Sequence, residues 1–167
     1  MEIIVKTIEL PQDVTLEMVL IPGGSFMIGS PKDELGRYID EGPQHEVTLK
    51  KFWMSKYPIT QIQYELVTGK NPSRFQGYYL PVERVTWHEA MKFCDLLSEK
   101  LGEPYTLPSE AQWEYACRAR TTTPFHFGET LTTDLANYDG NYTYADGPKG
   151  EYRKQTTDRK STRLNSS

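Results

Sequence analysis

Acidic and amide side chains alternate late in the chain, at Asn137, Asp139 and Asn141. Oxygen ligands at alternate positions begin the calcium loop of an EF-hand, which also requires glycine at its sixth position and glutamate at its twelfth. Those positions hold Tyr142 and Pro148, so the EF-hand interpretation fails. Two interpretations stay open: Asx turns that order a loop, or a calcium site of another type.

A second group of residues that could take part in catalysis consists of Glu110, Glu114 and Arg118, which follow one another at intervals of four residues. Side chains four residues apart share one face of a helix, so the two carboxylates could form a general acid–base pair. An ion pair between Glu114 and Arg118 is the commoner outcome of this spacing, and we predict that contact.

The two cysteines and three histidines of the chain show no zinc-binding spacing. Cys94 and Cys117 lie on the apolar faces of two predicted helices, where a buried thiol acts as a small apolar side chain. A mutual disulfide or a reactive role is the alternative. His88 falls in the first turn of a helix, which disfavours a positive charge, so we expect it to be neutral and structural. Trp87 and Trp113 are interpreted as core residues.

Composition limits the class of protein. The chain has 167 residues, a formal charge of −4 and a pI near 5.4, which suits one domain and argues against nucleic acid as the main partner. The longest apolar stretch, residues 18–21, is far below the ~20 residues of a membrane span. Residues 1–6 lack the pattern of a secretory signal. We therefore expect a cytoplasmic protein with no membrane partner.

The helices that must position these side chains are predicted from their first turns. Each start combines a hydroxyl residue with Glu or Gln three positions later, which is a capping box. The boxes predict helices over residues 60–68, 86–101 and 109–119, and Gly69 and Gly102 end the first two.

The strands and loops are predicted from alternation and turn residues. Two β-rich runs flank Pro22, Gly23 and Gly24, which predicts a hairpin because glycine supplies positive φ. Residues 30–43 read as a polar surface loop and 45–52 as a half-buried strand. Residues 121–157 are rich in Gly, Asn and Asp, and no helix is expected there. No internal repeat or second domain is predicted.

Six blocks of sequence occur in a characteristic order, at residues 21–30, 41–52, 56–64, 81–90, 105–119, and 127–128 with 136–138. The most specific is Tyr-Thr-Leu-Pro-Ser-Glu-Ala-Gln-Trp-Glu-Tyr-Ala-Cys-Arg-Ala at 105–119. Together they resemble the formylglycine-generating enzyme, or sulfatase-modifying factor, family from about residue 18 to 157. The resemblance implies an α+β fold: a C-type-lectin-like variant with low regular secondary structure, about three short helices and short antiparallel strands.

The resemblance also sets the expected domain boundaries. Residues 1–157 would be the N-terminal part of a sulfatase-modifying-factor-type domain. Residues 158–167 match one reading frame through a sequencing-library adapter, so we predict a non-native tail there. A genuine basic tail is the alternative.

Catalytic members of the family oxidise a cysteine of a sulfatase to formylglycine with oxygen, and they hold copper with two cysteines close together in sequence. Soft thiolates select monovalent copper. Those cysteines, and a later Gly-Asn-Val-Trp-Glu-Trp block, belong to the family's C-terminal part and are absent from this sequence. We therefore assign no catalytic or cofactor-binding residue, expect copper only in that C-terminal part, and predict that this fragment alone is inactive.

The family also implies structural calcium, bound by an Asn side chain, the next residue's carbonyl, an acidic side chain and a nearby carbonyl. Asn137 and Tyr138 match the first pair. Glu151 and Arg153 fall at the second pair, although a catalytic member has aspartate where Glu151 stands. Hard oxygen ligands of this kind suit calcium.

Two functions follow from the resemblance. One is an oxidoreductase, copper-dependent when full length, that acts on a cysteine of a protein substrate. The other is a non-catalytic, lectin-like module that binds a ligand or a protein through variable loops on a fixed frame. A related oxidase that forms sulfur–carbon bonds would bring a helical-bundle metal domain, and none is visible. Two cysteines a few residues apart downstream would favour the oxidoreductase.

Overall fold

The computed structural model describes residues 3–158, so all of the predicted tail except Asp158 lies outside the described residues. Five strands, one 3₁₀ turn (Ile39–Glu41) and three helices are present in that range. The strands are β1 (Val5–Glu9), β2 (Thr15–Ile21), β3 (Gly24–Ile28), β4 (His45–Leu49) and β5 (Phe52–Ser55), and the helices are α1 (Gln61–Thr68), α2 (Trp87–Leu101) and α3 (Glu110–Arg118). None of the helices in the described range is long and apolar enough to cross a membrane.

The described residues form two compact units, each built from separate parts of the chain. Among the described residues, the first unit takes 3–20, 53–107 and 155–158, and the second takes 21–52 and 108–154. In the first unit, β1, β2 and β5 form one sheet, with β2 in the middle and antiparallel to β1. Helices α1 and α2 pack against each other.

The core of the first unit is small and partly aromatic. The ring of Tyr64 on α1 stacks on that of Phe93 on α2, with centroids 5.5 Å apart. Burying such rings and aliphatic side chains supplies the main stabilisation of the unit. The buried members are Ile8, Leu10, Leu16, Tyr64, Val67, Phe93, Cys94 and Leu97.

All three predicted capping boxes are confirmed. The hydroxyls of Thr60, Thr86 and Ser109 accept hydrogen bonds from the backbone N–H three residues later, and each helix begins at the following residue. Gly69 and Gly102 end α1 and α2 in the left-handed region, at φ of 76° and 68°, which glycine adopts without a steric cost.

In the second unit, β3 pairs antiparallel with β4, and α3 packs against β3. The rings of Phe26 on β3 and Tyr115 on α3 lie 5.3 Å apart. A side chain at Gly24 would place its Cβ 2.6 Å from the Tyr115 hydroxyl. Glycine at this position therefore allows α3 to approach the strand.

The predicted hairpin around Pro22, Gly23 and Gly24 is wrong. The two runs join different partners, because β2 pairs in one sheet with β1 and β5 while β3 pairs with β4. Glycine at position 23 allows the backbone of Leu49 to come close, since a Cβ there would lie 2.8 Å from the Leu49 carbonyl oxygen. It does not supply a positive φ. Strand β1, which no turn signal marks, was not predicted.

The assignment of Trp87 and Trp113 to the core is also wrong, because they are 64% and 56% exposed. The position of Cys117 on a core face is wrong as well, whereas Cys94 is buried as predicted. On α3 the buried residue is Tyr115. Trp113 and Cys117 each lie two positions from it, about 200° around the helix, and so face away from the buried side.

Candidate functional site

The four residues of the predicted calcium site lie in the second unit, on two backbone segments that run beside each other. The N–H of Gly150 donates to the carbonyl of Gly140 at 2.9 Å. That bond joins the segment just after Asn137 and Tyr138 to the segment just before Glu151. A Cβ on Gly140 would collide with the backbone of Gly150, and one on Gly150 with the side chain of Thr133, so both positions require glycine for this packing.

Thr133 fixes the second of these segments. Its hydroxyl accepts from the backbone N–H of Glu151 at 3.2 Å, and its carbonyl accepts from the Arg153 guanidinium at 3.0 Å. The first segment is held differently, because the Tyr138 hydroxyl donates to the Leu131 carbonyl at 3.1 Å. Residues 131–133 therefore contact both halves of the predicted ligand set.

Asp139 forms the Asx turn that was one of the two interpretations of this region. Its carboxylate accepts from the backbone N–H and the side-chain amide of Asn141 at 3.0 and 2.8 Å. The turn ties Asp139 to Asn141. A calcium site would use Asn137 and Tyr138 instead, so the Asx turn and the site are compatible.

The donor set offered here is chemically suited to calcium, since amide, carbonyl and carboxylate oxygens are hard ligands. The positive charge of Arg153 opposes cation binding, because its guanidinium lies 3.5 Å from the Glu151 carboxylate. The Glu151 side chain is exposed, so a cation can approach it from solvent. Among the described residues, no three His, Cys, Asp or Glu side chains come together as a metal site. The calcium assignment therefore stays a prediction.

The residues present do not fit a two-thiolate copper site. Cys94 is buried in the hydrophobic core, and that burial, followed by the nearby charge of Asp95, raises the pKa of its thiol. A copper ligand must be a thiolate, which these surroundings disfavour. Cys117 is exposed on α3.

The predicted contact between Glu114 and Arg118 is confirmed, with an N–O distance of 2.7 Å. Both carboxylate oxygens of Glu114 also accept from the backbone N–H of Gly29, at 3.2 and 3.4 Å. Arg118 donates to the carbonyl of the same glycine at 3.2 Å. Glu114 and Arg118 thus hold the backbone at the end of β3 through hydrogen bonds to Gly29. We assign them this structural role, and not general acid–base catalysis.

A buried polar network in the first unit was not predicted. The Gln61 side chain is fully buried; its oxygen accepts from Asn71 and from the N–H of Gly77, both at 3.1 Å. Its nitrogen donates to the Phe75 carbonyl at 2.6 Å. The Gln63 side chain, also buried, donates to the Thr15 carbonyl at 2.7 Å. Glutamine is mostly exposed in proteins, and only the capping box marked Gln63 in advance.

Beside this network lies an open cleft of about 660 Å³. One wall is the loop that Gln61 holds, and the other is the end of the described chain. Within the described residues, the buried Thr156 hydroxyl has no hydrogen-bond partner. The lining residues are Arg74, Phe75, Gln76, Leu80, Gln155, Thr156, Thr157 and Asp158.

Comparison with known proteins identifies the class. Residues 7–166 match the family described as "Sulfatase-modifying factor enzyme 1-like domain". The chain therefore belongs to the sulfatase-modifying factor family, as the sequence blocks predicted.

Curated relatives carry diverse names. The chain is 40% identical over 99 residues to the "Chaperone protein LppX" of Paenibacillus barcinonensis, with 58% of this chain and 32% of that protein covered. It is 31% identical to the "Serine/threonine-protein kinase pkn1" of Chlamydia caviae, over 77% of this chain and 24% of the kinase. The chain thus spans a third or less of the length of these relatives.

Two further relatives are named for formylglycine. The "Formylglycine-generating enzyme" of Mycobacterium tuberculosis is 26% identical, with 68% of this chain and 55% of that enzyme covered. The "Inactive C-alpha-formylglycine-generating enzyme 2" of Bos taurus is 28% identical, with coverage of 68% and 52%. The family thus includes members named as active and as inactive.

Solved structures confirm the predicted fold class. PvdO from Pseudomonas aeruginosa superposes with a TM-score of 0.63 at 34% identity, covering 72% of this chain and 53% of PvdO. Treponema denticola variable protein 1 gives a TM-score of 0.70 at 22% identity, covering 89% and 71%, and this likeness concerns the fold alone. The α+β, C-type-lectin-like architecture with three helices and short antiparallel strands is shared.

Proposed function

We propose that this chain is the scaffold part of a formylglycine-generating-enzyme-like domain that, at full length, oxidises a cysteine of a protein substrate. The observation that carries the proposal is the likeness to the Mycobacterium tuberculosis enzyme over 68% of this chain. In the proposed reaction the Cβ–S bond breaks and sulfur leaves as hydrogen sulfide. O₂ takes two electrons from the cysteine and two from a thiol reductant, and the other products are the aldehyde, one water and the disulfide of the reductant.

The contribution of this chain is to hold backbone and loops in place. The capped helices support the core of the first unit, and Glu114 with Arg118 fixes the end of β3. No residue of the chain is assigned to the chemistry, and the proposal places copper binding outside these 167 residues.

The test is to obtain a longer reading of the gene and to assay its product with copper, oxygen, a thiol reductant and a cysteine-containing sulfatase peptide. Mass spectrometry should show the –CH₂SH side chain converted to –CHO, with oxygen in place of sulfur and two hydrogens fewer, with the full-length protein and no change with the 167-residue chain. The same peptide with serine in place of cysteine is the control. An unmodified cysteine peptide after incubation with folded, copper-loaded full-length protein contradicts the proposal.

We also propose that Asn137, Tyr138, Glu151 and Arg153 bind a structural calcium ion. The bond between Gly140 and Gly150 supports this proposal, because it brings the two segments that carry these residues together. Calcium would cross-link those segments and stabilise the loops of the second unit.

A non-catalytic binding module is the second candidate function. The open cleft of about 660 Å³ supports it as a surface depression in which a ligand could lie. The inactive bovine relative and the kinase relative agree with such a role. A longer gene sequence without two closely spaced cysteines would favour this function over oxidation.

A further inference from the structure

Three large apolar side chains project from the loop between β3 and β4. Leu35 is 61% exposed, Tyr38 73% and Ile39 93%, the last being the highest value among large apolar residues in the described range. They fall within five consecutive residues and form what we call the apolar knob (Leu35, Tyr38 and Ile39). Single exposed apolar residues are ordinary, but grouped ones mark interaction sites.

The knob stands on a backbone that is already ordered. The N–H of Tyr38 donates to the Glu41 carboxylate at 3.0 Å, and the N–H of Glu41 returns to the Tyr38 carbonyl at 3.2 Å. The Glu41 carbonyl accepts from the N–H of Ser30 at 3.3 Å, and Arg37 donates to the Ser30 hydroxyl at 3.0 Å. Binding of a partner to the knob would therefore not include the free-energy cost of ordering the loop.

The surroundings of the knob are negatively charged. Between β3 and β4, residues 29–44 carry four acidic side chains against Lys32 and Arg37. The hydrogen bond from the Tyr38 N–H lowers the pKa of Glu41, so that this carboxylate stays ionised. Nearby, burial and then the charges of Glu34, Glu129 and Glu41 raise the pKa of Tyr144.

We propose that the apolar knob is a docking surface for another protein that presents an apolar pocket ringed by Lys and Arg side chains. Protein interfaces combine an apolar centre, often with Tyr, and a polar rim. Complementary charge around that centre speeds encounter and selects the partner. The acidic rim would repel both an anionic membrane and the same rim on a second copy. This inference is independent of the proposed oxidation and of calcium binding.

The probe is a short helical peptide with a stripe of leucine bordered on both sides by lysine, labelled for fluorescence anisotropy. We expect it to bind the full chain, with weaker binding as salt increases. A matched peptide with glutamate in place of lysine should not bind. Combining Leu35→Ser, Tyr38→Ser and Ile39→Ser should weaken binding by tenfold or more. Circular dichroism and the melting temperature should be unchanged, because the substituted side chains are exposed.

The control variant is Tyr78→Ser with Tyr79→Ser, which removes two tyrosines that are each 68% exposed but lie in the first unit. It should bind the lysine peptide as the original chain does. Equal binding by the knob variant, or equal binding of both peptides, overturns the proposal. A dimer in light scattering that disappears in the knob variant overturns it in favour of self-association.

Discussion

The side-chain amide of Gln61 donates a 2.6 Å hydrogen bond to the backbone carbonyl of Phe75. The same side chain accepts from Gly77, so one buried glutamine replaces the backbone partners that an irregular loop lacks. A buried polar side chain is tolerated only when its hydrogen bonds are made. Gln61 is therefore central to the order of the loop between α1 and α2.

Gln61→Ala should lower the free energy of unfolding by about 2–4 kcal/mol, because it leaves several buried backbone and amide groups without partners. Urea unfolding followed by tryptophan fluorescence measures this. Tyr79→Ala, at a side chain of the same loop that is 68% exposed, is the control and should cost less than about 1 kcal/mol. Equal losses in the two variants would show that the buried network does not order the loop.

Helix positions could be predicted almost to the residue because the capping boxes are local. Thr60 and Gln63, for example, satisfy each other within one turn. The pairing of the strands could not be predicted in this way, because β2 and β3 have similar compositions and their partners are distant in sequence. Gln61 was missed for the same reason, since its partners lie 10 to 20 positions away.

At the candidate calcium site, too, the residues themselves could be predicted but their distant contacts could not. The resemblance supplied all four residues, including Asn137 and Glu151, but no local pattern indicated that Thr133 would contact the second pair. The exposure of Trp113 could not be predicted either, because the helix alone does not reveal that Tyr115 takes the buried side.

Gly29→Ala should destabilise the second unit more than Gly36→Ala does. Both glycines have positive φ, 87° and 73°, which costs a non-glycine residue roughly 1–2 kcal/mol. A Cβ at Gly29 would also collide with the Glu41 carbonyl, whereas the space at Gly36 is open. Thermal unfolding of the two variants measures the difference, and a larger loss in Gly36→Ala would contradict the geometry.

Glu89 should stabilise α2 in a pH-dependent way. Hydrogen bonds from the backbone N–H and then the hydroxyl of Thr86 lower the pKa of Glu89 below its ordinary 4.5. A lowered pKa in the folded state means that the stabilisation is complete above 4.5 and is lost as pH falls through the folded value. The stability gap between the original chain and Glu89→Gln should therefore be constant near neutrality and shrink in acid.

The matched control for that titration is Glu99→Gln, which removes the same charge from the other end of α2. Denaturant unfolding across the acidic range, with all three proteins in the same buffers, gives the comparison. A gap for Glu89→Gln that widens as the solution becomes more acid would contradict the hydrogen-bonded cap.

The two thiols should react at different rates. Burial raises the pKa of Cys94, while Cys117 is exposed, and only thiolate reacts with a disulfide reagent. One thiol should be labelled quickly in the folded protein and the second only on unfolding. Cys117→Ser should remove the fast phase and Cys94→Ser the slow one; a fast phase that survives Cys117→Ser would refute this assignment.

Calcium should raise the melting temperature, because a ligand that binds only the folded state stabilises it, by ~2.7 kcal/mol at a hundredfold excess over the dissociation constant. Asn137→Ala and Glu151→Gln should each abolish the shift. Asp139→Asn, which removes a neighbouring charge while keeping an oxygen for the Asx turn, should retain it. No shift at millimolar calcium ends the calcium proposal.

The backbone contact between Gly140 and Gly150 closes residues 141–149 into a loop, and Tyr144 ties that loop to Thr130 and Phe125. A change of length within residues 141–149 would therefore have to keep both the closure at Gly140 and the contacts of Tyr144. A side chain larger than hydrogen would force the two backbones apart at Gly140 and would push Thr133 aside at Gly150.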